Sequence, residues 1–161
     1  ASDTFHYDET KRSFVMLPGV CVEGAVTPDA LYVYCQEFIR CGNYCRRLEA
    51  FCDQRRRNYV KGLTYVGLVN GVAKFLQLYR STTFRLVKDK SLVEITTAFR
   101  IMCKQVKFLA EICCASNDED PLPTGIQLLC HLFDKTLHIT TKDLYFILVS
   151  ILRSSADPYF R

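Results

Sequence analysis

Residues 91–113, SLVEITTAFRIMCKQVKFLAEIC, carry the clearest fold signal in the chain. Ser91 and Glu94 match a capping box, in which the serine side chain caps the first backbone N–H groups and the glutamate reaches back to the serine backbone. Seven apolar residues then recur at alternating steps of three and four: Leu92, Ile95, Phe99, Met102, Val106, Leu109 and Cys113. This period predicts an amphipathic helix.

The same helix carries a second apolar set beside that stripe. Ile101, Phe108 and Ile112 lie off the main stripe, and Lys104 lies between them in the sequence. A helix with two apolar faces can pack its own core with one face and offer the other to a partner. Burial of the three apolar residues inside the bundle is the first interpretation; the second is that Ile101, Lys104, Phe108 and Ile112 contact a partner.

Helical periodicity also dominates the rest of the chain after residue 26. A first helix is predicted from Thr27-Pro28-Asp29 to about Arg55, because a hydroxyl cap, a proline at the first helical position and an early acid favour a helix start. Its stripe consists of Leu31, Cys35, Phe38, Cys41, Cys45, Leu48 and Cys52. The other predicted helices cover about 59–86, about 125–137 and the residues after 140 or 141. The last two have the stripes Ile126, Leu129, Leu132 and Phe133, and Leu144, Ile147, Leu148 and Ile151.

These signals predict an all-α fold, a bundle of about five helices over residues 27–161 preceded by an irregular amino-terminal arm over 1–26. Within the arm, residues 14–22 are read as an extended segment or a short strand. Gly62, Gly67 and Gly71 of the second helix predict close approach by a neighbouring helix. A chain of 161 residues, 49% of them hydrophobic, is large enough for one compact domain without disulfide or metal staples.

The nine cysteines are the compositional oddity of the chain. Four of them, Cys35, Cys41, Cys45 and Cys52, occupy the first helix's stripe, where a free thiol behaves as a small hydrophobe. These four spread along about 25 Å of helix, too far for one tetrahedral metal site. We therefore predict free, packed thiols and no metal or other cofactor.

Neither a catalytic site nor a basic binding surface stands out. Phosphate-binding, nucleophile-elbow and zinc-protease motifs are absent from the sequence. Cys130 and His131 are adjacent, but neighbours on a helix point about 100° apart. The net charge of +4 is low for a nucleic-acid binder. Two basic clusters, around residues 40–61 and 85–107, are read first as solvated faces and second as surfaces for an acidic protein partner. We predict no enzyme, no nucleic-acid partner and no membrane contact.

Four segments, in this order and spacing, resemble the gamma-tubulin complex component family, in its amino-terminal GRIP domain. They are GVAKFLQLY (71–79), FRIMCKQVKFLAEICC (99–114), GIQLLCHL (125–132) and ILRSSADPYFR (151–161). The resemblance covers roughly the last 100 residues and is weak over the first 58. The Cys113–Cys114 pair, the acidic loop after it and the lack of tryptophan depart from the usual pattern and favour the divergent subfamilies five and six.

The resemblance implies a non-catalytic scaffold, a fragment of a longer chain. Such domains line up side by side in a ring that nucleates microtubules, so the partners would be neighbouring complex components. The family's carboxy-terminal half, missing here, would hold gamma-tubulin. The implied location is the cytoplasm, at the cytoskeleton and the centrosome or another microtubule-organising centre. The alternative is a cysteine-rich, redox- or metal-responsive helical regulatory protein.

Overall fold

Five helices and one short hairpin form the described part of the protein. The computed structural model describes residues 4–20, 27–53, 60–86, 90–114 and 122–160. In chain order the elements are β1 (Phe5–Asp8), β2 (Ser13–Met16), α1 (Pro28–Asp53), α2 (Leu63–Leu86), α3 (Leu92–Cys114), α4 (Gly125–Leu137) and α5 (Lys142–Ala156), followed by a 3₁₀ turn (Asp157–Tyr159). The predicted all-α bundle is confirmed. No described helix is both long and apolar enough to cross a membrane.

The core lies where all five helices meet. α1 packs mainly on α3, and α2 packs mainly on α5, with α4 against α5 and α2. The fully buried side chains are Cys41, Leu48, Leu68, Val72, Val106, Leu109, Leu128, Leu132, Leu148 and Ser155. Burial of such leucines and valines stabilises the fold by about 1.5–3 kcal/mol each relative to exposure.

α3 begins with the predicted capping box. The Ser91 backbone N–H and hydroxyl both donate to Glu94 Oε2, at 2.9 and 2.8 Å, and the Glu94 N–H donates to Ser91 Oγ at 3.4 Å. Of the predicted stripe, Met102, Val106 and Leu109 are buried. The two signals that defined this helix in the sequence are therefore confirmed.

The glycines of α2 explain how α5 comes so close. A Cβ on Gly67 would collide with the Ser154 carbonyl oxygen, and one on Gly71 would lie 3.1 Å from Ser154 Cβ. The predicted close approach is confirmed at these two positions. It is not seen at Gly62, where a Cβ would meet no atom of the described residues within 4 Å and where φ is +94°. Because of this left-handed turn, α2 begins at Leu63. The predicted start of this helix at residue 59 and the predicted end of α1 at residue 55 lie outside the described residues.

The predicted stripe of α4 is wrong in two of its four members. Ile126 and Phe133 are 66% and 53% exposed, while Leu128 and Leu132 are fully buried. α4 has two apolar stripes, and the arrangement of α2 and α5 decides which of them is covered.

The amino-terminal arm is less irregular than predicted, since β1 and β2 form an antiparallel hairpin with Phe5 opposite Met16. The hairpin docks on α1, where the Phe14 N–H donates to Asn43 Oδ1 at 3.0 Å. The Phe14 ring lies over Gly42; a Cβ at that glycine would be 3.1 Å from the ring. Gly42 therefore serves the fold by letting the hairpin approach the helix.

Candidate functional site

The four predicted contact residues lie on one side of α3, but they differ in exposure. Ile101 is 55% exposed, and Lys104 is also exposed. Phe108 and Ile112 are half-buried and pack against the core. Ile101 and Lys104 are therefore the outward part of the set, near the amino-terminal half of the helix.

The position of α3 in the bundle explains this division. Its main stripe faces α1, and it also contacts α2 and α5. Residues 101, 104, 108 and 112 follow the spacing that keeps side chains on one helix face. Towards the carboxyl end that face is partly covered by the bundle, so Phe108 and Ile112 offer a partner only part of their surface.

Most of the predicted basic residues that the structure describes have partners within the chain. Arg100 Nε donates to both oxygens of Glu37, at 3.0 and 3.2 Å. Lys107 pairs with Glu111 at 3.6 Å, one turn further along α3. Lys104 forms no ion pair with any residue in the described ranges, so its ammonium is available to an acidic partner.

A second basic group, at the end of α1, is also used within the molecule. Arg46 lies 3.8 Å from Glu49 and over the Tyr7 ring at 5.2 Å. Arg80 of α2 pairs with the same Glu49. These contacts tie α1 to the hairpin and to α2. Arg55, Arg56, Arg57 and Lys88 of the predicted clusters lie outside the described residues.

Three thiols meet around one tyrosine between α1, α2 and α3. Cys41 Sγ lies 3.0 Å from the Tyr79 hydroxyl, and the Cys45 and Cys103 thiols are close enough to shift the pKa of Cys41. All eight cysteines that the structure describes are free. Within the described residues, no group of three or more metal-ligating side chains has the arrangement needed to hold a metal ion.

The protonation of this cluster suits packing better than reactivity. Contact with Cys103 lowers the pKa of Cys41, but contact with Cys45 and burial outweigh it and raise that pKa to about 12. Contact with Cys41, followed by burial, raises the pKa of Cys103, and burial raises that of Tyr79. The contact with Cys41 lowers the pKa of Cys45. Because the thiolate is the reactive species, Cys41 and Cys103 are poor nucleophiles at neutral pH.

Comparison with known proteins decides the family. The chain is 30% identical over 171 positions to gamma-tubulin complex component 6 of Homo sapiens, an alignment that covers 99% of the chain. The Mus musculus protein of the same name is also 30% identical, over 170 positions and 99% of the chain. This similarity along nearly the whole chain supports its assignment to the gamma-tubulin complex component family. No family model matches it.

The family resemblance seen in the sequence is thus confirmed, and the similarity extends to the first 58 residues, where the sequence resemblance was weak. Both relatives are sixth components, in agreement with the expected five- or six-like subfamily. The chain spans 9% of the human protein and 10% of the mouse protein.

One surface of the chain was missed in the sequence. A groove of about 670 Å³ lies between α2 and α5, with Gln105 of α3 at its side. Gln105 is one helical turn after Ile101 on the same side of α3, so the groove adjoins the predicted contact residues. Only the packing of α2 on α5 creates it. The sequence did contain one signal for this groove: Phe146 is an apolar residue that lies outside the predicted apolar stripe of α5.

Proposed function

We propose that the chain is a non-catalytic scaffold module of a gamma-tubulin complex, which associates laterally with a neighbouring complex component. The observation that carries the proposal is the similarity to gamma-tubulin complex component 6 along 99% of the chain. Gamma-tubulin itself would be held by another part of the parent protein. The module would act in microtubule nucleation, in the cytoplasm and at the cytoskeleton and centrosome.

The structure supports an assembly role through the outward part of α3. Ile101 offers an exposed apolar side chain, and Lys104 offers a cation without an ion pair in the described ranges. The capping box and the core stripe anchor the helix in the bundle behind these two residues. The helix therefore presents an apolar and a charged contact point in a fixed arrangement, which lowers the entropy cost of binding a protein partner.

Charge and bulk introduced at Ile101 test the proposal. We expect Ile101→Glu to leave folding unchanged, because the side chain is 55% exposed, and to reduce capture of a neighbouring complex component at least about tenfold, a loss of about 1.4 kcal/mol. Capture is measured by pull-down with purified components from the same organism, and folding by circular dichroism and urea unfolding.

Two further variants make this test decisive. Ile126→Glu replaces an isoleucine on α4 that is more exposed than Ile101, at 66%, and should leave capture unchanged. Phe108→Glu should destabilise the bundle, since it removes a large apolar side chain that packs against the core. If Ile101→Glu folds and captures the neighbour as well as the unmodified chain does, this face of α3 does not mediate lateral association.

The alternative, a redox- or metal-responsive regulator, has less support. Three thiols do meet at Tyr79, but the pKa values of Cys41 and Cys103 are raised. The described residues also hold no group suited to a metal ion. The observations on the thiols therefore favour the scaffold proposal over the regulator.

A further inference from the structure

The groove between α2 and α5 has features of its own that lateral association through α3 does not use. Its walls are formed mainly by Lys74, Phe75, Leu78, Phe146, Ser150 and Arg153. The first three belong to α2 and the last three to α5. The volume, about 670 Å³, makes it a substantial concave surface, open along one side.

The shape of the groove is set by the glycine contact at one end. Gly71 and Ser154, which touch there, both line it. From that contact it follows α2 as far as Leu78, seven residues or about 10 Å further on. On the other side its lining extends from Phe146 of α5 to Asp157 at the start of the 3₁₀ turn, about 16 Å. A trough of this length between two helices has room for two to three turns of a third helix.

The surface inside the groove is apolar and uncovered. Leu78 on one wall and Phe146 on the other are 62% and 64% exposed. Between them lie Phe75 and Ile147, which pack against the core, and the buried Ile151. Large apolar side chains on facing walls are the usual anchor points of helix-in-groove recognition.

The charge around this apolar surface is mainly positive. Lys74 and Arg153 line the groove from opposite helices, and neither forms an ion pair within the described ranges. Arg85, which is exposed, follows Leu78 by seven residues and so extends the same face of α2. Asp157 is the acidic residue of the lining, and it is already engaged in another interaction. The rim therefore favours carboxylates on the occupant.

We propose that this groove binds an acidic amphipathic helix of another protein. Apolar side chains at positions i, i+3 or i+4, and i+7 of that helix pack between Leu78 and Phe146. Glutamates or aspartates beside them pair with Lys74 and Arg153. A lipid bilayer is too flat to reach the apolar floor, although its anionic surface would meet the rim. The proposal does not rest on the lateral contact at Ile101.

Two synthetic peptides of about three helical turns test the idea on the unmodified chain. Both have leucines at helical spacing; the remaining positions are mainly glutamate in one and lysine in the other. Fluorescence anisotropy measures the affinity of each. We expect saturable binding of the glutamate peptide, at least about tenfold tighter than that of the lysine peptide. The variant Lys74→Glu/Arg153→Glu should reverse this preference.

Matched alanine variants locate the binding. Leu78→Ala and Phe146→Ala should each weaken the glutamate peptide about tenfold, the loss expected for a central apolar anchor. Phe84→Ala removes another exposed phenylalanine of α2, outside the groove, and should have no effect. Circular dichroism verifies that each variant is folded.

Several results would overturn the proposal. They are the lack of saturable peptide binding, equal affinity for the two peptides, and affinity that is unchanged in the charge-reversed variant. Vesicles of phosphatidylserine and a single-stranded oligonucleotide serve as competing probes. Tighter binding of either than of the glutamate peptide would assign the basic rim to a membrane or a nucleic acid instead.

Discussion

The α2–α5 and α1–α3 contacts hold the same bundle together in different ways. In the first, Gly67 brings the backbone of α2 against that of α5, and the Ser154 hydroxyl donates to the Gly67 carbonyl at 2.9 Å. In the second, side chains fill the space between the helices: the Phe38 and Phe99 rings meet edge to face at 5.0 Å, and Cys41 is buried in the core against which Phe99 packs.

The difference concerns how much change each contact tolerates. A backbone contact has no rotamers to adjust, so any added atom must move a whole helix. A contact made of aromatic rings and polarisable thiols can repack around a small change. We therefore expect the α2–α5 contact to be the intolerant one. It also fixes the width of the groove beyond it, so its stiffness bears on binding as well as on stability.

The largest expected effect is that of Gly67→Ala. In a helix interior, alanine is ordinarily about 1 kcal/mol better than glycine. Here the new Cβ collides with the Ser154 carbonyl, which cannot turn aside as a side chain can, so we expect a cost near the upper end of the roughly 1–3 kcal/mol typical of overpacking. We expect a net loss of about 2 kcal/mol in the free energy of unfolding, measured by urea denaturation.

Asn70→Ala is the matched control, because Asn70 is an exposed position of the same helix. It should be neutral or slightly stabilising. A Gly67→Ala protein as stable as the unmodified chain would mean that α5 can move away at little cost. The contrast between the two contacts would then disappear.

Local sequence signals predicted the helices well but could not assign all of their faces. The capping box at Ser91 involves residues three apart, so its chemistry is complete within the sequence. On α4, by contrast, Ile126 and Phe133 are as apolar as Leu128 and Leu132. Which pair is buried depends on helices distant in the sequence.

The candidate site shows the same limit. Helical spacing correctly grouped Ile101 with Phe108 on one side of α3. It could not predict that Phe108 packs against the core while Ile101 stays exposed. The groove escaped prediction entirely, since Leu78 and Phe146 are 68 residues apart and meet across it only after α5 has packed on the glycines.

An intermediate effect is expected at the α1–α3 contact. Cys41→Ala removes a fully buried thiol and leaves the Tyr79 hydroxyl without its partner at 3.0 Å. We expect a loss of about 1 kcal/mol, because the neighbouring thiols can partly fill the space. Cys130→Ala, at an exposed thiol, should stay within about 0.5 kcal/mol of the unmodified chain. If Cys41→Ala lowers the free energy of unfolding more than Gly67→Ala does, the α1–α3 contact is the less tolerant of the two, contrary to the proposal.

The smallest expected change in the free energy of unfolding at neutral pH comes from the ionisation of thiols. Its dependence on pH best separates the two contacts. Burial raises the pKa of both Cys52 and Cys114 to about 11, a value to which the nearby Asp53 contributes in the case of Cys52. Cys114 Sγ also donates to the Arg47 carbonyl across the α1–α3 contact, at 3.7 Å. The usual thiol pKa, which applies to the unfolded chain, is 9.0.

Since the folded pKa is the higher one, the neutral thiols favour the folded state fully below pH 9, and this contribution is lost as the pH rises towards 11. Lysines and tyrosines titrate in the same range, so the measurement is the difference from a Cys52→Ala/Cys114→Ala variant. That difference in unfolding free energy should be constant from pH 7 to 8.5 and shrink above pH 9. The cost of Gly67→Ala should not change with pH, because no ionisable group takes part in the collision with Ser154. A Cys52→Ala/Cys114→Ala difference that stays constant to pH 10.5 would mean that these thiols are no harder to ionise in the folded chain than in the unfolded one.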